Sequence, residues 1–182
     1  MSNPIRNRST TQASPEMTFR ELHSPLIRKL HPSAKVLLSA IPGGRDDLQT
    51  DLRDIQSAGI AFILCLVRSS ELGTYGKTMA SRSHETPTWC HCPTSPSCGA
   101  EAENALRHSL ASLVEILRLG RTVLIHCQAG QIRTGCAAAS LLVLLGASPS
   151  EAASAVETAG SFPFEDGPLP LFDAFCSSKI LP

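Results

Sequence analysis

The chain has 182 residues, 42% of them hydrophobic, which suits one domain with a single good core. Sixteen basic and sixteen acidic side chains cancel to a net charge of zero, so bulk charge offers no ground for nucleic-acid or membrane binding. The longest apolar run, starting near Cys136, is about half the ~20 residues of a membrane span, and the N-terminus lacks the apolar core of a secretory signal.

Residues 1–22 are polar and rich in Ser, Thr and Arg, with Glu16 as an early carboxylate. They are expected to form a disordered or loosely attached tail ahead of a domain over 23–182. An organellar transit peptide is the alternative that shares this Arg-rich, acid-poor composition. Residues 35–39 then read as a first strand, and Pro42-Gly43-Gly44 as a turn. Asp46 or Asp47 can cap a helix that carries Leu48, Leu52 and Ile55 and ends near Gly59. The continuous apolar run 61–67 predicts a central strand, followed by a short helix or turn over 68–72. Residues 89–92 predict an edge strand leading into a Pro- and Ser-rich loop. Leu106, Leu110, Leu113 and Leu117 make one stripe on a helix over 101–119, stopped by Gly120. Residues 122–125 read as a buried strand and 136–145 as a buried helix ended by Gly146. Ser148-Pro149-Ser150-Glu151 is a capping box that opens a helix ending before Gly160. A loop over 161–168 leads to a closing helix over 169–179. This alternation predicts an α/β fold: a mostly parallel central sheet flanked by helices.

Between the strand at 122–125 and the helix at 136–145 lies His126-Cys127-Gln128-Ala129-Gly130-Gln131-Ile132-Arg133-Thr134-Gly135. A strand, a tight loop and a helix N-terminus in that order direct backbone N–H groups at one spot and so bind an anion. Only a thiolate attacks, and loop amides, the helix dipole and Arg133 would all favour a negative Cys127. The same donors, from Gln128 to Arg133, suit a phosphate dianion, and the planar Arg133 guanidinium can hold two of its oxygens. Gly130 lets the backbone turn where a side chain would intrude. Thr134 can donate its hydroxyl to the thiolate, and His126 can hold the loop from behind. Thiolate and arginine cover attack and charge, so no metal or organic cofactor is expected. Seven cysteines, one of them required as a free thiol, favour a cytoplasmic setting.

This stretch closely resembles the signature of the cysteine-dependent protein tyrosine and dual-specificity phosphatases: His126-Cys127, five residues, then Arg133-Thr134. Ile132 departs from it, standing where many members carry Gly. The run from Ile41-Pro42-Gly43 through Ala58-Gly59-Ile60 to Ser70-Glu71-Leu72-Gly73-Thr74-Tyr75 resembles the kinase-associated phosphatase family of dual-specificity enzymes. The likeness spans about 37–175. It implies a protein tyrosine phosphatase-like fold and hydrolysis of a phosphate monoester through a phosphocysteine on Cys127. It also implies a phosphorylated protein as substrate. Neutral Gln128, Ala129 and Gln131 disfavour multiply phosphorylated inositol lipids.

The same resemblance exposes a gap. An aspartate that protonates the leaving oxygen should fall near Pro96 or Ser97, yet no Asp occurs between Asp54 and Asp166. Glu85, Glu101 and Glu103 are the nearest carboxylates, with Glu165 or Asp166 on another loop; Glu101 is the candidate acid. Glu101 and Glu103 also suit the first turns of a helix for the sake of its dipole. Two rivals to a protein phosphatase therefore stand. One is a phosphate-binding module that has lost the acid; the other is an enzyme on a nucleotide, RNA 5′ end or lipid. His84, Cys90, His91, Cys92 and Cys98 lack the second ligand pair of a zinc site, so no metal is expected. The resemblance further offers Cys98 or Cys65 as an oxidative partner for Cys127.

Overall fold

The computed structural model describes residues 17–44, 47–82, 85–95, 100–162 and 170–177. Five strands form one sheet in the spatial order β1 (Arg20–Glu21), β2 (Lys35–Ser39), β5 (Thr122–His126), β3 (Ile60–Cys65) and β4 (Thr88–His91). β1 runs antiparallel to β2, and every other neighbouring pair is parallel. The mostly parallel sheet is thus as expected, with the short antiparallel strand at one edge.

Side chains alternate across the sheet, and the apolar strands are filled on both faces. Val36, Leu38, Phe62, Leu64, Val123 and Ile125 face the larger core. Five helices supply its other side: α1 (Pro25–Leu30), α4 (Ala100–Arg118), α5 (Ile132–Leu144), α6 (Pro149–Thr158) and α7 (Pro170–Ser177). The α4 stripe of Leu106, Leu110, Leu113 and Leu117 is fully buried there. Burying each such leucine is worth about 1.5–3 kcal/mol. Leu37, Ile63, Cys65 and Leu124 face the opposite way. They pack on α2 (Leu48–Ser57) and α3 (Gly73–Ser81) through Leu52, Ile55, Tyr75 and Met79.

Helix starts follow local chemistry. The Asp47 carboxylate accepts the Thr50 N–H at 3.1 Å and opens α2. Ser148 and Glu151 close the expected capping box, with Pro149 at the first helical position of α6. Asp46, the other candidate cap for α2, lies outside the described residues.

Three elements differ from expectation. Residues 17–22, assigned to the tail, belong to the fold. Arg20 and Glu21 pair with Leu38 and Leu37, Leu22 is buried, and the Met17 N–H donates to Asp54 at 2.9 Å. Two residues are too short for any period-2 signal. Helix α1 is opened by the Ser24 side chain and Pro25 and buries Ile27, so it carries no apolar stripe. Helix α3 contains Gly73 and Gly76, poor helix formers, and is held instead by the packing of Tyr75 and Met79.

Candidate active site

The carboxyl ends of the parallel strands come level at one edge, where Ser39, His126, Cys65 and His91 stand side by side. Ligands of open α/β sheets bind beyond that edge. The chain leaves β5 there at Cys127, turns through Gln128–Gln131 and enters α5 at Ile132. Helix α5 starts four residues earlier than the apolar pattern suggests. Its N-cap residue, Gln131, makes no side-chain capping bond. Helices normally satisfy their first N–H groups with such a cap; here they are left for an anion.

Gly130 shows why the loop needs its glycine. Its φ is +70°, and an added Cβ would stand 2.5 Å from the Ser39 carbonyl and 2.6 Å from the Ala40 nitrogen. Both neighbours are backbone and cannot swing away. Left-handed geometry alone costs a side-chain-bearing residue about 1–2 kcal/mol. Gly130→Ala is therefore expected to destabilise the fold by about 2 kcal/mol or more and to deform the loop. Chemical denaturation together with oxyanion binding checks this; an unchanged midpoint with unchanged binding would refute it.

Six further hydrogen bonds hold the loop. The Ile41 N–H donates to the Gln128 carbonyl at 3.2 Å. The Gly130 carbonyl accepts from Ser161 Oγ at 2.9 Å and also from Arg20 Nη2. Arg133 donates from Nη1 and Nη2 to the two Glu71 oxygens at 2.7 and 3.2 Å, and from Nη1 to the Leu66 carbonyl at 3.3 Å. Glu71 lies in a 3₁₀ turn, Ser69–Glu71, and also accepts the Arg68 N–H at 2.9 Å. The hydrogen bonds from Arg133 hold its carboxyl below the ordinary glutamate range.

His126 is fully buried beneath the loop. Its Nε2 is 3.0 Å from the Tyr75 hydroxyl, and the rings meet edge to face at 5.3 Å. Burial pushes the His126 pKa down to about 3, so the ring is neutral and serves as a fixed hydrogen-bonding strut. Burial likewise raises the Tyr75 hydroxyl well above its usual value, so it remains a donor.

The structure thus brings together His126, Cys127, Gln128, Ala129, Gly130, Gln131, Ile132, Arg133 and Thr134, as the sequence pattern requires. Cys127 is almost wholly buried, while Gln128 and Ala129 are exposed. Ile132 packs against the larger core. The Thr134 hydroxyl is buried and makes no hydrogen bond among the described residues.

The acid candidates divide. Pro96, Ser97, Glu165 and Asp166 lie outside the described residues, and so does the Glu101 side chain, although its backbone is in the first turn of α4. Glu103 is buried and bonded to Arg107 at 2.8 Å, a structural pair. Glu85 precedes β4, at the far end of the sheet from Cys127.

The described zinc candidates turn to different partners. Cys90 and Cys92 turn toward the larger core, where Cys90 Sγ reaches Ser109 Oγ at 3.6 Å. His91, next along the strand, instead bonds the Val67 carbonyl at 2.8 Å and stacks on Trp89. His84 and Cys98 lie outside the described residues. Cys65, offered as an oxidative partner, belongs to the opposite core face from Cys127, and burial pushes its thiol up to about 11.

Sequence reasoning gave no role to Glu71, Tyr75, Arg20 or Ser161. Glu71 had one usable signal, a carboxylate in the turn just beyond a central strand. The others had none, because their contacts join distant segments.

A mostly parallel sheet that ends in a Cys–loop–Arg turn at an uncapped helix defines an α/β protein of the dual-specificity phosphatase fold. The family model for the tyrosine phosphatase family matches residues 50–154, and the chain belongs to that family. No curated protein is detectably similar to it in sequence. Solved structures share its fold. Kinase associated phosphatase, with serine in place of its catalytic-site cysteine, is 19% identical, with a TM-score of 0.72 over 90% of this chain and 94% of its own. Human DUSP28 is 16% identical, with a TM-score of 0.53 over 90% and 92%. PTPMT1 in complex with PI(5)P is 16% identical, with a TM-score of 0.58 over 78% and 87%.

Proposed function

We propose that the protein hydrolyses phosphate monoesters through a phosphocysteine, with a phosphorylated protein as substrate. The uncapped N-terminus of α5, closing a loop that carries Cys127 and Arg133, carries this reading. The Cys127 thiolate attacks phosphorus: an S–P bond forms and the bond to the leaving oxygen breaks. Loop amides from Gln128 to Arg133 hold the phosphoryl oxygens. Glu71 takes two of the five N–H donors of Arg133, which leaves others for the phosphate. Water then attacks phosphorus and releases the thiolate. The buried, unbonded Thr134 hydroxyl is the donor available to receive it.

A cleft of about 420 Å³ adjoins the loop at Gln128, walled by Ile41, Pro42, Leu48, Leu72 and Tyr75. Among the described residues that line it, Glu71 is the one charged side chain. Those residues offer a polyphosphorylated headgroup no cation, whereas a peptide flanking a single phosphate would find apolar walls.

The absence of aspartate between Asp54 and Asp166 favours a second reading, a phosphate-binding module. An aryl phosphate and a phosphoserine peptide decide between the two. Without a general acid, activated aryl phosphates should turn over and the peptide should lag by the ~10²–10⁴-fold such an acid supplies. Glu101→Gln should be silent; a loss of ~10²-fold in kcat would make Glu101 the acid. No hydrolysis of any aryl phosphate, with tungstate still raising Tm, would establish the binding module.

A further inference from the structure

Two hydrogen bonds converge on one loop carbonyl from segments far apart in the chain. The Gly130 oxygen accepts from Arg20, on β1, and from Ser161, just past α6. Arg20 also donates from Nη1 to the Gly160 carbonyl, so its planar fork bridges the loop and the end of α6. Gly160 has a φ of +73°, and the guanidinium lies over it, 3.4 Å from where a Cβ would stand. Ser161 is fully buried. A trans peptide is planar, with its C=O and N–H pointing opposite ways. Whatever fixes the Gly130 carbonyl on the outer side of the loop therefore fixes the Gln131 N–H toward its inner side.

We infer that Arg20 and Ser161 are positioning residues of the phosphate loop, locking the Gly130–Gln131 peptide with its N–H aimed at the bound phosphoryl group. This rests on the phosphatase reading of the loop. Neither residue touches the substrate. Burial weakens the Arg20 guanidinium's hold on its proton, and its electrostatic interaction with Cys127 opposes that. The contribution comes from the segment that composition alone assigns to a tail, so removing residues before Leu22 would remove part of the site's support.

Arg20→Lys keeps the charge and loses the fork; Arg20→Gln loses both; Ser161→Ala removes one oxygen. Two measurements apply to each: tungstate affinity and kcat/KM for an aryl phosphate. Arg20→Lys and Ser161→Ala should each weaken tungstate binding and lower kcat/KM by ~10- to 100-fold, the scale of a misplaced catalytic group, and Arg20→Gln should lose at least as much. Tungstate affinity and kcat/KM within about twofold of wild type in Ser161→Ala, or a fall in Tm alone, would overturn the inference. Ser161→Ala deletes a single atom, so the test stands even if the Arg20 variants do not fold. Tungstate binding needs no phosphatase activity. If wild type neither binds tungstate nor hydrolyses aryl phosphates, the phosphatase reading fails, whereas a normal wild type with normal variants removes only the positioning role.

Discussion

Cys127→Ser is expected to lower turnover of an aryl phosphate by ~10⁴-fold or more, the scale of a removed nucleophile. The reason is chemical rather than steric. A serine hydroxyl is far harder to ionise than a thiol, and His126, its neighbour in the chain, is buried, neutral and engaged with Tyr75. The cradle itself should survive. Gly130, the Ile41–Gln128 bond and the uncapped start of α5 are all independent of the sulfur. Tungstate or inorganic phosphate should therefore bind at least as well as in wild type, because a thiolate would repel the dianion. The measurement pairs steady-state kinetics with an oxyanion titration followed by Tm. Turnover near that of wild type would sink the nucleophile assignment, and loss of oxyanion binding would show that the sulfur is part of the cradle.

Arg133→Lys is expected to lower kcat/KM by ~10²–10³-fold, comparable to deleting one donor of an oxyanion hole. The guanidinium has two tasks that an ammonium cannot share. One edge holds both oxygens of Glu71, at 2.7 and 3.2 Å, and donates to the Leu66 carbonyl. The other task is to hold the phosphate with the N–H groups that remain. Lysine offers one point charge, which can sit by Glu71 or by the phosphate. With Glu71 partly buried, the ammonium should settle on the carboxylate and abandon the ligand. The loss should therefore fall on oxyanion affinity as well as on kcat. Glu71→Gln in the same background provides the control: with the competing carboxylate gone, part of the oxyanion affinity should return. An Arg133→Lys protein with unchanged kcat/KM would make Arg133 a purely structural partner of Glu71.

Most of the sheet could be read from apolar runs. The strand at 35–39 has the bounds expected, and those near 61–67, 89–92 and 122–125 differ by a residue or two. These runs are legible because both faces of the central strands are buried, so every position carries the signal. The leucine stripe of α4 and the capping box of α6 are equally local. The turn from Cys127 to Arg133 was legible for the same reason: a cysteine, a glycine and an arginine stand at short spacings on one continuous stretch.

Residues far apart in the chain leave no such trace. Arg20 sits in a polar segment whose composition argues for disorder, and only the pairing of Arg20 and Glu21 with Leu38 and Leu37 brings it to the loop. The uncapped start of α5 was missed because Ile132 to Gly135 break the apolar pattern, yet they are helical since the loop's turn at Gly130 leads the chain straight into it. Glu71 and Tyr75 reach Arg133 and His126 across 62 and 51 residues, through a parallel crossover that sets β3 beside β5. Local sequence thus determined the strands, the amphipathic helices and the turn from Cys127 to Arg133, because those depend on neighbours along the chain. Which side chains brace that loop was decided only by the tertiary structure, because hydrogen bonds between remote segments depend on where the sheet places them.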